Sequence, residues 1–177
     1  MAYDLAEQNR RMEDIDLVIS MINPVVLRGR ALDLPNVNIH PAPLWYRGWG
    51  GLFYAFEDRR RQHGVVAHRM TQVPDEGAIF RSDTFDIEAD DDVVSLGHRT
   101  NEAAFRLLRW WCEAGLVDGQ CPVSDSASWQ GPMRTKRELW SRVAGAQTPR
   151  QASARDYYFG RPESPTPWMH PPGDFSL

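Results

Sequence analysis

The sequence predicts an α/β domain with a mostly parallel sheet and helices on both faces, a three-layer arrangement. Two observations lead to this prediction. Short apolar runs at 17–21, 36–40 and 65–70 alternate with helix-like segments, the order typical of strands joined by helical crossovers. A longer segment, 93–113, carries an apolar stripe at helical spacing that would pack on the sheet: Val93, Leu96, Thr100, Ala103, Leu107 and Trp111.

The first part of the chain predicts two strands, each preceded by a helical segment. Residues 3–12 are polar and helix-compatible, and they lead into the apolar strand at 17–21. Pro24 predicts the start of a short helix, because proline is favoured in a helix's first turn, and Gly29 is expected near its end. The second strand is expected at 36–40.

The middle of the chain predicts a helix, a strand and a hairpin. The helix over 52–61 ends in three arginines, which are expected to complement the helix dipole, with phosphate or glutamate-tail binding as the alternative. A strand follows at 65–70. Residues 77–82 are either its hairpin partner or its continuation.

An acidic run at 86–92 leads into the long helix. Carboxylates are favoured at a helix N-terminus, so capping and solvation are expected of this run rather than metal binding. After Gly115 the composition becomes rich in Pro, Ser, Gly and Gln. We therefore expect a domain over 1–117 and a C-terminal extension over 118–177, with a short helix at 135–143 and a proline-rich tail.

Composition limits the function classes. The chain has 177 residues and a net charge of −4 at pH 7, which gives no basic face for nucleic acid. Its two cysteines, Cys112 and Cys121, suit a reducing compartment and lack metal-ligand spacing. No apolar run approaches the ~18 residues of a membrane span, and residues 1–11 are too polar for a signal peptide. We expect a soluble cytoplasmic protein.

The stretch that ends the second strand carries the strongest chemical signal. Asn38 and His40 stand two residues apart in a strand and therefore share a face. One neutral and one titratable donor suit the stabilisation of a developing oxyanion. Asp75, in an Asp-Glu-Gly turn, would complete a proton-handling site if it folds back beside His40. The alternatives are a hydrogen-bonded structural histidine and a turn in which Asp merely caps its own backbone.

In this order and spacing, three motifs resemble the 10-formyltetrahydrofolate-dependent formyltransferase family, over about residues 16–111. They are Asn38-Ile39-His40-Pro41, a loop ending in Tyr46-Arg47-Gly48, and the turn at Asp75. That family includes glycinamide ribonucleotide, methionyl-tRNA and sugar N-formyltransferases. The sequence pattern of this chain most resembles that of the sugar enzymes. The resemblance implies a Rossmann-like formyltransferase domain.

The resemblance also implies a mechanism and a set of site residues. Asn38 and a protonated His40 would stabilise the oxygen of the formyl group, and Asp75 would favour the imidazolium and move protons between the amine and the folate. 10-Formyltetrahydrofolate would be the formyl donor, with no metal. The implied pterin pocket consists of Met21, Ile22, Asn23, Leu27, Met70, Thr71, Gln72 and Val73. The implied acceptor entrance consists of Tyr46, Arg47, Gly48 and Trp49, with core packing as the alternative for the aromatic residues.

The implied acceptor is an amine on a small molecule, such as an amino sugar nucleotide. Two alternatives stay open: a hydrolase that releases formate from the folate, and a non-catalytic half-domain that completes a partner chain. Members of the family usually open with several βα units before the strand that 17–21 resembles. We therefore expect that strand to be a bare edge. It would be paired by a second copy or a partner chain, or covered by residues 3–12 or by the tail.

Overall fold

The computed structural model describes residues 9–22, 26–114, 123–124 and 126–160. The main sheet has four strands in the order β1-β2-β4-β5, and a second sheet pairs β3 with β6 in parallel. The strands are β1 (Val18–Met21), β2 (Asn36–His40), β3 (Arg47–Gly48), β4 (Gln62–His68), β5 (Ile79–Asp86) and β6 (Met133–Arg134). The positions of β1, β2, β4 and β5 agree with the predicted strands to within a few residues, whereas β3 and β6 were not predicted.

Residues 9–11 are helical, and five further helices accompany the sheets in the described residues: α1 (Arg30–Asp33), α2 (Gly51–Glu57), α3 (Val93–Glu113), α4 (Lys136–Val143) and α5 (Pro149–Phe159). The α3 helix begins and ends where its apolar stripe predicts. The α1 helix follows Gly29, whereas Gly29 was expected near the end of a helix whose expected start, Pro24, lies outside the described residues. Within the described ranges, no helix is both long enough and apolar enough to span a membrane.

The α/β class is confirmed, but the main sheet is mixed. Strands β1 and β2 are parallel, whereas β2 with β4 and β4 with β5 are antiparallel. Only residues 69–78 join β4 to β5, fewer than the dozen or more that a parallel crossover needs. The connection from β2 to β4 is long enough for a parallel crossover and contains α2. Its length therefore did not indicate that β4 runs antiparallel to β2.

Helix α3 covers one face of the sheet. Its stripe residues Ala103, Leu107 and Trp111 pack against Val37 and Ile39 of β2 in a cluster that also includes Val65 and Ala67 of β4. All six positions of the predicted stripe are buried. Apolar burial of this kind contributes about 25 cal/mol per Å² removed from water, so α3 is held by packing on the sheet.

The C-terminal helices share a core with the first part of the chain. Leu139 and Val143 of α4 and Phe159 of α5 are buried in one cluster with Phe53 of α2 and Leu96 of α3. Helix α5 was not predicted, although Thr148, Pro149 and Gln151 form a recognisable helix start. In the structure the Thr148 hydroxyl accepts from the Gln151 N–H, and Pro149 occupies the first turn.

Strand β1 lies at the edge of the main sheet. Among the described residues its only strand partner is β2. Val18 is buried against Ala31 and Met70 on the face opposite α3, whereas the side chains of Ile19 and Ile22 are 43% and 40% exposed. Short helical elements thus cover part of this second face. Pairing of β1 by a second copy or by another segment stays a prediction.

Helix α3 is capped by the acidic run that precedes it. The Asp92 carboxylate accepts from the backbone N–H groups of Val94 and Ser95, and the Ser95 hydroxyl accepts in return from the Asp92 N–H. Asp91 forms an ion pair with Arg99. The acidic run therefore stabilises the first turn of α3, the helix that covers the sheet.

We expect Asp92→Ala to lower the free energy of unfolding by about 1 kcal/mol, because loss of the cap leaves two N–H groups of α3 without their acceptor. Urea denaturation should show a lower midpoint with an unchanged slope. The control is Asp90→Ala, an exposed carboxylate in the preceding turn, which should shift the midpoint little. Equal effects of the two substitutions would contradict the capping role.

His63 of β4 is fully buried, edge-on to Phe85 at a ring-centroid distance of 6.0 Å. Neither ring nitrogen makes a well-formed hydrogen bond among the described residues. Burial lowers the pKa of His63 to about 4, and the nearby Pro41 carbonyl opposes this shift only in part. The imidazole is therefore neutral in the folded protein down to acidic pH.

This buried histidine predicts loss of stability in acid. Between pH 6.5 and about 4 the unfolded chain binds a proton at His63 that the folded protein does not, so the free energy of unfolding falls as the pH falls through this window. The contribution is up to roughly 3 kcal/mol. His63→Phe and His63→Gln should both flatten this part of the stability profile, measured by urea denaturation at several pH values. An unchanged profile in both variants would contradict the assignment.

Candidate active site

Strand β2 directs three polar side chains to the face opposite α3. Val37 and Ile39 enter the core, so the alternating residues Asn36, Asn38 and His40 point the other way. Asn36 anchors the strand: its amide donates to the carbonyls of Leu32 and Leu34 and accepts from the Met70 N–H. Asn38 and His40 are left to form the site.

His40 is buried and has a partner at each ring nitrogen. Its Nε2 donates to the Tyr46 carbonyl at 2.7 Å, and its Nδ1 lies 3.5 Å from Oδ2 of Asp75. Because a carbonyl can only accept, Nε2 carries the proton of the neutral ring. The Nδ1 atom, beside the carboxylate, is then free to accept a proton.

Asp75 is held beside His40 by two hydrogen bonds from β3. The Gly48 N–H donates to its carboxylate at 2.7 Å, and the Arg47 guanidinium donates to its backbone carbonyl at 2.9 Å. Its φ of +50° is a left-handed conformation that a non-glycine residue rarely adopts. Burial alone would raise the pKa of Asp75, but its interactions with the rings of His40 and His68 and the bond from the Gly48 N–H lower it to about 2.

His68 also belongs to this site, although the sequence reasoning did not single it out. It lies directly opposite Asn38 in the antiparallel register of β2 and β4. Its Nε2 is 3.0 Å from the Asn38 amide nitrogen and 3.4 Å from Oδ1 of Asp75. In the sequence, the only indication of this role was a histidine near the end of the predicted strand 65–70. Its position opposite Asn38 follows only from the register of the strand pair.

Trp129 is a second residue that sequence reasoning missed. Its ring meets His68 edge-on at a centroid distance of 4.9 Å and His40 at 5.7 Å. Its indole N–H donates to the Gly77 carbonyl at 2.8 Å, next to the Asp75 turn. Residues from the predicted C-terminal extension thus pack directly on the site.

The protonation state of His40 differs from the imidazolium that was expected. Burial lowers its pKa below the ordinary value of 6.5, and Asp75 and the Tyr46 carbonyl oppose this shift without cancelling it. His40 is therefore neutral at pH 7. The expected influence of Asp75 is present, but desolvation of the ring outweighs it.

All four residues expected at an acceptor entrance make contacts within the fold. The Tyr46 side chain is buried in the core, where its hydroxyl lies within hydrogen-bonding distance of the Tyr54 carbonyl at 3.0 Å and of the Asp58 carboxylate at 2.7 Å. Arg47 and Gly48, in β3, bind the Asp75 turn. Trp49 is half-buried and packs on the cluster around α2. Their contact with an acceptor stays a prediction.

The residues expected in a pterin pocket fall into two groups. Ile22, Thr71, Gln72 and Val73 are exposed, whereas Met21 is half-buried and Leu27 and Met70 pack in the cluster beneath β1. Asn23 lies outside the described residues. No group of three or more His, Cys, Asp or Glu side chains in the described ranges is arranged to hold a metal ion.

The sequence is similar to known sugar-modifying enzymes. No protein-family model matches the chain. Over 90 residues, 49% of this chain, it is 34% identical to the GDP-perosamine N-formyltransferases of Brucella melitensis biotype 1 and Brucella abortus. The match covers 35% of those proteins, so the chain spans about a third of the length of the curated relatives it matches.

Solved structures share the fold. The phosphoribosylglycinamide formyltransferase of Streptococcus pneumoniae is similar over 63% of this chain and 65% of its own, with a TM-score of 0.57 and 27% identity. The formyltransferase PseJ of Anoxybacillus kamchatkensis, in complex with a formamido sugar nucleotide and tetrahydrofolate, is similar over 85% and 79%, with a TM-score of 0.67 and 14% identity. Sequence and fold thus confirm the resemblance first seen around Asn38 and His40, and this chain is a relative of the N-formyltransferases with the formyltransferase fold.

Proposed function

We propose that this chain transfers a formyl group from 10-formyltetrahydrofolate to the amine of a nucleotide-linked sugar. The observation that carries the proposal is the convergence of Asn38, His40 and Asp75 at the carboxyl end of β2, where α/β sheets bind ligands. The similarity to GDP-perosamine N-formyltransferases supports a sugar amine as the acceptor. The complex of PseJ with tetrahydrofolate supports a folate as the donor.

The described geometry divides the chemistry between a hydrogen-bond donor and a proton acceptor. When bound, the folate supplies an activated formyl group. Asn38, a half-buried amide, donates to the formyl oxygen as it gains negative charge. Neutral His40 would accept the proton of the attacking amine at Nδ1 and deliver it to the folate nitrogen as the bond between that nitrogen and the formyl carbon breaks. The Asp75 carboxylate, 3.5 Å away, stabilises the positive charge that His40 then acquires.

The surface near the site offers apolar contacts for a heterocycle. Ile22 follows the carboxyl end of β1, and Val73 lies in the loop that leads to Asp75. Their side chains are 40% and 48% exposed. Sites for small ligands are lined mainly by apolar side chains with a few polar groups that fix the orientation of the ligand. We propose that these two residues contribute to the pterin site.

The central test is formyl transfer from 10-formyltetrahydrofolate to GDP-perosamine, with the formamide product measured by mass spectrometry. We expect His40→Ala and Asp75→Asn to abolish most turnover. Asn38→Ala should lower kcat roughly 10²–10³-fold, as loss of one oxyanion donor does. Circular dichroism should show an unchanged fold. His98→Ala, on the exposed side of α3, is the control and should retain activity. Full activity of both the His40 and Asp75 variants would overturn the assignment.

Trp129 should influence the basicity of His40. Because burial lowers the pKa of His40, removing the indole in Trp129→Ala should admit water and raise that pKa towards 6.5. Proton NMR titration of the imidazole C–H resonances measures the change. Trp110→Ala, on the α3 face of the sheet, is the matched control and should leave the His40 titration unchanged. A fall in the His40 pKa in Trp129→Ala would contradict this role.

A further inference from the structure

We infer that His68 is a positioning residue that sets the orientation of the Asn38 amide through the tautomer of its own imidazole. The inference rests on the proposed function, in which Asn38 donates to the formyl oxygen. It concerns a residue outside the motifs that define the resemblance. The observations that carry it are the contacts of the two ring nitrogens of His68, which is 2% exposed.

The backbone selects one tautomer of His68. Its Nδ1 lies 2.9 Å from the carbonyl oxygen of the next residue, Arg69. A carbonyl only accepts, so Nδ1 must carry the proton, since the other neutral tautomer would set a ring lone pair against the carbonyl oxygen. In the neutral ring Nε2 is then an acceptor.

An acceptor at Nε2 decides which end of the Asn38 amide faces it. The Asn38 side chain lies 3.0 Å from Nε2 across the strand pair, where its NH₂ group can donate and its carbonyl oxygen would repel. One N–H of Asn38 is therefore bound by His68. The second N–H of the same group is left for a ligand.

Asp75 does not replace Asn38 as the partner of neutral His68. Its Oδ1 atom is 3.4 Å from Nε2 and is itself an acceptor. An Nε2 atom that carries no proton cannot donate to it, and the Gly48 N–H donates to the other carboxylate oxygen, Oδ2. When its ring is neutral, His68 therefore accepts a hydrogen bond from the Asn38 amide.

As a consequence, the Asn38 amide is held with its NH₂ group as the donor. The opposite orientation would offer its carbonyl oxygen, which cannot donate to the formyl oxygen. An amide can exchange the places of its oxygen and nitrogen by turning about one bond. A flipped Asn38 would change which of its two groups a ligand meets. Donors that are oriented before the reaction need no reorganisation during it. His68 supplies this orientation without touching the substrate.

The first test reads the tautomers directly and needs no activity. Long-range ¹H–¹⁵N spectra of the ¹⁵N-labelled 177-residue chain at pH 8 should show His68 protonated at Nδ1 and His40 protonated at Nε2. The two histidines should thus have opposite tautomers. His68→Leu and His40→Ala assign the signals. A His68 protonated at Nε2 overturns the inference, whether or not the chain transfers formyl groups.

The second test uses turnover with 10-formyltetrahydrofolate and GDP-perosamine. We expect His68→Leu to lower kcat about tenfold, the scale of one neutral hydrogen bond, with little change in the KM for the folate. His68→Gln, whose side-chain oxygen can accept from Asn38, should recover much of this loss. In the Asn38→Ala background, His68→Leu should have no further effect, because its partner is gone.

The matched control is His98→Gln on α3, which should leave kcat unchanged. Additive effects of His68→Leu and Asn38→Ala, or a His68→Gln variant as slow as His68→Leu, would overturn the positioning role. If the wild-type chain shows no formyl transfer at all, the proposed function fails, and the imidazole spectra still decide the orientation of Asn38.

Discussion

The antiparallel register of β2 with β4 is the constraint on which the site depends. It sets His68 directly opposite Asn38 and His40 opposite Val66. Because the chain leaves β4 at His68 and returns to β5 at Ile79, the intervening loop carries Asp75 back beside His40. A slip of one residue would turn Asn38 and His40 into the core and Val37 and Ile39 outwards. Core packing therefore protects the chemistry of the site.

A second constraint is the close approach of β3 and β6. The Arg134 carbonyl accepts from the Trp49 N–H, and a side chain at Gly48 would lie 2.1 Å from that same carbonyl. Gly48 also has φ +76°, which favours glycine. Since the Gly48 N–H binds the Asp75 carboxylate, this contact with the C-terminal part of the chain fixes one of the donors to the site.

The C-terminal part of the chain is thus part of the domain's core and of its site. Leu139 and Phe159 complete the apolar cluster around α2, and Trp129 covers the two histidines of the site. His40 is buried beside the Trp129 indole, and its desolvation outweighs the opposing effects of Asp75 and the Tyr46 carbonyl. That environment explains why a histidine next to a carboxylate is neutral at pH 7, and it favours proton acceptance over permanent charge.

The sequence by itself determined the α/β class, the bounds of α3 and the candidate site residues Asn38, His40 and Asp75. Local sequence patterns predict each of these: the spacing of apolar residues from Val93 to Trp111, and the order of Asn38, His40 and Asp75. Only the tertiary structure decided the antiparallel strand pairs, the membership of His68 and Trp129 in the site, and the neutral state of His40. These depend on strand register and on burial. Both arise from contacts between residues distant in the chain, which no local pattern records.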